Sequence, residues 1–254
     1  MIGKANEVFR CTVGSQVHGL DLDGTDDHDE MGIFIEPPTL VLGIPDGYDH
    51  EVQRTQPEGV RSGPGDTDLV RYSLRKYLRL AVQGNPTVLL PLFAPVEFWM
   101  LIAWPGFELR ERVPQIVSQR AGPRFLGYMK SQRERMEGTR KRHTNRPELI
   151  EQYGYDTKFA SHAVRLGLQG IELLTKGSIT LPMPEVSRQH LRDMKAGKVG
   201  REDALREIVT CEQILSELVA HPPDVLPEQP DLDALNAWSR DVHLRWWSQN
   251  GLDG

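Results

Sequence analysis

The stretch from Val13 to Ile35, VGSQVHGLDLDGTDDHDEMGIFI, constrains the fold more than any other part of this chain. An apolar element (Val8, Phe9, Val13) leads into the small pair Gly14-Ser15 and then a polar Gly/Asp-rich loop. The loop closes on Asp27-His28-Asp29, which runs into the alternation Met31, Ile33, Ile35. Such alternation is the pattern of a strand with one buried face. Side chains two apart on a strand share a face, so Asp27 and Asp29 point the same way and His28 points to the other. Two carboxylates on one rigid edge repel each other and invite a hard divalent cation. Magnesium suits the pair, because it takes one or two carboxylates and completes its shell with water and substrate phosphates.

The remaining composition is that of a soluble globular protein. The 254 residues are long enough for a sizeable core, and 39% hydrophobic with 26% charged content argues against disorder. Cys11 and Cys211 are too far apart in sequence for a zinc spacing and make no disulfide framework, as expected of a reducing compartment. No apolar run approaches the roughly 20 residues of a membrane span, and the N-terminus carries no apolar signal segment, so the expected location is the cytoplasm. The net charge is -6, but it is unevenly spread. Between Arg120 and Arg146 nine Lys/Arg face two Glu, a segment of about +7 on a body of about -13. A basic stripe on an acidic body fits either a phosphate or RNA footprint or a solvated helix face.

Along the chain, Pro37-Pro38 stops the carboxylate-bearing strand. From Thr39 to Gly65 the Pro, Gly, Asp and Gln content predicts a long surface excursion, able to act as a flap. Asp66 to Tyr72 reads as a second strand. Ser73 is placed to cap a helix from Leu74 to Val82, which buries Leu74, Tyr77, Leu78 and Ala81 and ends at Gly84. The aromatic-rich run from Phe98 to Arg120 predicts core and helix packing. A basic helical segment follows from Phe125 to about His143, and its polar remainder must lean on another layer or on a charged ligand. In the helix from Asp156 to Leu174, Lys158, His162, Arg165, Gln169 and Glu172 recur every three or four residues. On the residues alone that stripe reads as a solvated face. Leu191 to Leu218 predicts a helical pair broken at Gly197 and Gly200. A last helix begins at Asp231, with Trp238 and Trp246 packed.

The Gly14-Ser15 pair followed by Asp27-x-Asp29 resembles the signature of the DNA polymerase beta nucleotidyltransferase superfamily. Together with DLVRYSLRKYLRLAVQGNPTVLLPLFAP, GYMKSQRERMEG and YDTKFASHAVRLGLQGIELL, it is similar to the YcgL-like nucleotidyltransferases, which include RNA-ligase-associated enzymes. The resemblance spans most of residues 8–215. It implies an α+β fold: a polymerase-beta-type palm, a small mixed sheet with helices, over residues 1–120, then a helical domain over 121–254. It also implies two Mg2+ ions, or Mn2+, held by Asp27, Asp29 and a third carboxylate on a following strand, for which Asp68 is the first choice and Asp66 the alternate. Gly14 and Ser15 would cradle the triphosphate of an NTP, and Lys158, Arg165 and His162 would contact it. His28 stands where the resembled family carries an aromatic residue.

The implied reaction moves an NMP from an NTP to an acceptor hydroxyl with release of pyrophosphate. An RNA or polynucleotide end is the first acceptor, reached through the Arg120 to Arg146 segment. The same palm chemistry also serves protein and small-molecule acceptors. A non-catalytic nucleotide- or RNA-binding module has no need of adjacent repelling carboxylates, and a metal-dependent phosphodiesterase would call for His/Asp clusters where the eight histidines here are scattered.

Overall fold

The computed structural model describes residues 2–21, 27–44, 48–58, 60, 62–139 and 146–252. In order the elements are α1 (Ile2–Ala5), β1 (Glu7–Thr12), α2 (Gly14–His18), β2 (His28–Phe34), α3 (Pro38–Val41), β3 (His50–Arg54), β4 (Thr67–Ser73), α4 (Leu74–Ala81), α5 (Pro86–Phe93), β5 (Trp99–Ile102), α6 (Trp104–Glu111) and α7 (Val113–Ile116). They continue with α8 (Ala121–Glu137), α9 (Pro147–Tyr153), α10 (Thr157–Lys176), α11 (Glu185–Lys195), α12 (Arg201–Ala220) and α13 (Leu232–Gln249). Among the described residues no helix is long and apolar enough to cross a membrane. The fold is α+β, with two compact units. One comprises residues 1–82, 87–117 and 230–254, and the other residues 83–86 and 118–229.

The first unit is built on a five-stranded mixed sheet of order β3-β4-β2-β1-β5. Only β2 and β4 run parallel; the other neighbours are antiparallel. Alternation along β2 sends Asp29, Met31 and Ile33 to one face and Glu30, Gly32 and Phe34 to the other. Phe9 and Cys11 of β1 pair with Ile33 and Met31 and share their buried face. Ser73 caps α4 by accepting from the Lys76 N–H at 3.2 Å, and Leu74, Tyr77, Leu78 and Ala81 are all buried. Burial pushes the Cys11 thiol up to about 12, so it serves as a packed apolar group rather than a nucleophile. Helix α13 closes this unit by hydrogen bonds from the Trp247 indole to the Glu36 carbonyl at 2.7 Å and from the Trp238 indole to Glu108 at 2.8 Å.

Two stretches differ from the sequence expectation. The Thr39–Gly65 excursion contains an edge strand, β3, with Val52 opposite Val70 and Arg54 opposite Asp68. Its sequence HEVQR lacks an apolar alternation because Glu51 is the residue it buries, so the strand depends on ladder hydrogen bonds and ion pairs instead. The Phe98–Arg120 run is likewise not all core. Trp99–Ile102 forms the opposite edge strand, and Met100 and Phe107 are each 50% exposed. In the last helix Trp238 and Trp247 are the buried tryptophans, while Trp246 is half-buried.

The face of the sheet turned away from Asp29 carries a buried ionic layer. Arg71, 2% exposed, ion-pairs with Glu7 at 3.2 Å and Glu51 at 3.7 Å, and Arg10 joins Glu7 to Glu30. Gly32 leaves room for it, since a Cβ there would stand 2.3 Å from Glu7 Oε1 and 2.8 Å from Arg71 Cγ.

In the second unit α10 packs between α8 and α12. Gly167 and Gly170, three apart on one face, let the backbones approach, as a Cβ on either would fall within 3.0 Å of Cys211 or Phe125. Helix α8 ends at Gly138 in the left-handed conformation, φ 74°. The expected continuation to His143 falls on residues outside those described. Its polar half leans on α12, where Glu212 accepts from Arg133 at 2.5 Å and pairs with Lys130 at 3.7 Å. The α11–α12 break falls at Gly197 and Gly200 as expected.

Replacing Arg71 by leucine would leave the buried Glu51 without its cation and Glu7 with Arg10 alone. The expected loss is about 3–5 kcal/mol of unfolding free energy, read from the urea midpoint at unchanged m-value. A loss within the range of ordinary surface substitutions would contradict the ionic layer.

Candidate active site

The pairing of β2 with β4 brings the site together. Asp29 and Asp68 are register partners across the parallel pair, so their side chains leave the same face of the sheet side by side. Asp27 stands just before β2, and one carboxylate oxygen from each of Asp27, Asp29 and Asp68 lies within 4.8 Å of the others. All three are partly exposed. Like charges directly opposite on neighbouring strands destabilise a sheet, and here a third is added. Three hard oxygen donors converging at a solvent-accessible edge form a group that could hold a metal ion. Asp66, the alternate third ligand, is a turn residue: its carboxylate accepts from the Gly63 N–H at 2.9 Å and from Gln56 at 3.0 Å.

Gly14 is fixed by this cluster for two reasons. Its φ is +65°, which disfavours any side chain, and a Cβ there would stand 2.1 Å from Asp29 Oδ2. The Val13 N–H donates to the Asp29 carbonyl at 2.8 Å, pinning the turn to β2. Gly14 and Ser15 therefore start α2 directly beside the carboxylates. His28 points to the opposite face, where it pairs with Gln16 at 2.6 Å and Glu30 at 3.3 Å. Its role is to brace α2 against the sheet.

Residues that the sequence did not single out complete the cluster. Arg54 of β3 forms a two-point ion pair with Asp68, Nε to Oδ1 at 3.0 Å and Nη2 to Oδ2 at 3.1 Å. The Ser62 hydroxyl donates to Asp68 Oδ2 at 2.9 Å and accepts from Arg54 at 2.9 Å. The Arg54 guanidinium, followed by Ser62, holds the Asp68 carboxyl below the usual carboxylate range. Without a metal the arginine supplies the counter-charge that the carboxylates require. No pattern in HEVQR announces this, since the contact exists only once β3 pairs with β4.

Lys158, His162 and Arg165 lie in the second unit, on the N-terminal half of α10. Asp156, fully buried, caps that helix by accepting from the Lys158 and Phe159 N–H groups at 3.1 Å each, and also accepts from Arg146 at 3.2 Å. The guanidiniums of Arg146 and Arg135 lie 4.8 and 5.8 Å from the Phe159 ring centroid. Burial, reinforced by the charges of Arg165, Arg146 and Arg135, drives the His162 imidazole well below its usual range. Burial also lowers Arg165 to about 10, and Arg165 donates to the buried Gln169 at 2.9 Å. The stripe is thus a half-buried cationic cluster rather than a solvated face. Arg135 and Arg146 belong to it, and only their membership of the basic segment hinted at that. Within the same stripe Glu172 is structural, accepting from Thr180.

A mixed sheet with a Gly-Ser turn and three aspartates on adjoining strand ends defines the class: the chain is a nucleotidyltransferase of the polymerase beta superfamily. More narrowly, it belongs to RlaP, the RNA repair pathway DNA polymerase beta family, whose model matches residues 4–241. No curated protein sequence matches it. Among solved structures it is similar to a nucleotidyltransferase-like protein from Exiguobacterium sibiricum, with 12% identity and a TM-score of 0.31 over 85% of this chain and 69% of that one.

Arg54→Ala removes the cation that competes for Asp68, so Mn2+ titrated against the protein in the absence of nucleotide should bind about tenfold tighter or more. Unchanged or weaker binding would show that Arg54 supports the metal site. For His162, the folded protein holds fewer protons than the unfolded chain between the depressed folded pKa and the ordinary histidine value. Stability therefore falls as pH drops through the histidine range and levels off below the folded pKa. Urea unfolding across that range should show a shallower dependence in His162→Gln, and an identical slope would refute the assignment.

Proposed function

We propose that the protein transfers an NMP from an NTP to an acceptor hydroxyl, releasing pyrophosphate, and that the acceptor is an RNA end. The reading rests chiefly on the convergence of Asp27, Asp29 and Asp68 beside the Gly14-Ser15 turn. A binding module would gain nothing from three carboxylates forced together. Membership of an RNA repair family supports the choice of acceptor.

In this reading Asp27, Asp29 and Asp68 would hold two Mg2+ ions, which when bound would neutralise the triphosphate and lower the pKa of the acceptor hydroxyl. The small Gly14-Ser15 turn lets backbone N–H groups and the Ser15 hydroxyl come close to the β and γ phosphates. Asp68 helps take the acceptor's proton as the new ester bond forms and the bond to pyrophosphate breaks. Arg54 then exchanges one anion for another, leaving Asp68 and turning toward the triphosphate. Lys158, His162 and Arg165 contact the nucleotide, and the half-buried setting strengthens the interactions of the Lys158 and Arg165 charges by reducing their exposure to water. A neutral His162 can still donate one hydrogen bond to phosphate without adding charge. The Arg120–Arg146 segment carries the RNA backbone.

The test is transfer from each of four α-labelled NTPs, with Mg2+ or Mn2+, to short RNAs, DNAs and a lysate. Label should move to RNA and fall at least about 10²-fold in Asp29→Ala. Label on protein or a small molecule would keep the reaction and overturn the acceptor. Transfer that persists in Asp29→Ala would overturn the carboxylate mechanism.

A further inference from the structure

The first unit contains a cavity of about 640 Å³ that shares no residue with the carboxylate cluster. It lies among α3, α4 and α13. Leu78, Leu235 and Trp247 form its buried floor, and the exposed side chains of Leu42, Leu232 and Leu244 stand around its mouth. Its volume is within the range of small-molecule sites, which are mostly apolar with a few placed polar groups.

The charge of its lining is one-sided. Arg75, Arg79 and Arg240 all border it, and among the described residues no acidic one does. Arg79 is partnered by Asp49 at 3.2 Å, whereas Arg75 and Arg240 have no ion pair among the described residues. An uncharged apolar occupant would leave this cationic rim unused, whereas an anion engages it, because guanidinium groups bind carboxylate or phosphate oxygens by two parallel hydrogen bonds.

The wall is also held in place before any ligand arrives. His243, which lines the cavity, is fixed by the Glu36 carboxylate at 3.0 Å and the Ser239 carbonyl at 2.6 Å, while the Trp247 indole is tied to the Glu36 backbone. A prebuilt wall lowers the ordering cost of binding.

We infer that this cavity binds a small organic anion with an apolar body, an aryl or acyl carboxylate or phosphate, with its head on Arg75 and Arg240 and its body on the leucine and tryptophan floor. The inference stands apart from the transfer reaction and survives any outcome of the test of that reaction.

The probe is anilinonaphthalene sulfonate, an apolar aromatic body with one anionic group, titrated by fluorescence into the full chain. Binding should saturate at one site and be displaced by decanoate about tenfold or more effectively than by decanol. Arg75→Gln/Arg240→Gln, two exposed positions whose change leaves the floor intact, should weaken the probe about tenfold or more. Ser239→Trp, which fills the cavity, should abolish the site. A thermal unfolding midpoint close to the parent's checks that each variant is folded. No saturable binding to the parent, equal displacement by decanol, or unchanged binding in the folded arginine variant would each overturn the inference. An anionic amphipathic peptide that binds here while decanoate does not would overturn it in favour of a protein partner.

Discussion

The repulsion between Asp29 and Asp68 across the parallel pair β2/β4 is the constraint to which the first unit answers. Parallel strands at the centre of a sheet are usually apolar on both faces. Here the pair carries a carboxylate on each strand at the same register, with Asp27 beside them. The surroundings accommodate this cost in two ways. Gly14 gives up its side chain so that Asp29 fits against the turn, and Arg54 reaches across from the edge strand to neutralise Asp68. Both adjustments are made by side chains, so the carboxylates are balanced without a change in the backbone of β2 or β4.

The opposite face of the sheet follows a different rule. Glu7, Arg10, Glu30, Glu51 and Arg71 form an alternating ionic layer that tolerates burial because its members are paired. This layer ties β1, β2, β3 and β4 together through side chains, and Gly32 provides the gap in which Glu7 meets Arg71. The register of four strands is thereby fixed on the face away from the site, and the positions of Asp29 and Asp68 depend on that register.

Much of the first unit was legible in the chain. Apolar alternation marked β2, and Ser73 with the spacing of Leu74, Tyr77, Leu78 and Ala81 marked α4; in the second unit Gly197 and Gly200 marked the break between α11 and α12. The strand β3 was not legible, because HEVQR buries a glutamate and has no hydrophobic period to find. Nor was β5, where WMLI half-exposes the apolar residues that read as core. For the stripe on α10, periodicity identified the residues that share a face but not what covers it. Arg146 and Arg135 come from other elements, and their approach to Phe159 is a tertiary event.

The sequence by itself determined the carboxylates and the turn. Asp27, Asp29 and Gly14 are close in the chain, and local rules of strand alternation and glycine conformation are enough to set them together. Tertiary structure alone decided between Asp66 and Asp68, since a carboxylate at the start of a strand can equally serve the turn before it or the face beside it. Pairing with Asp29 puts Asp68 in the carboxylate cluster, while Asp66 is given to the Gly63 N–H. It also decided the clamp by Arg54, fourteen residues from Asp68 in sequence and opposite it in the sheet, because ion pairs across strands depend on register, which no single strand contains.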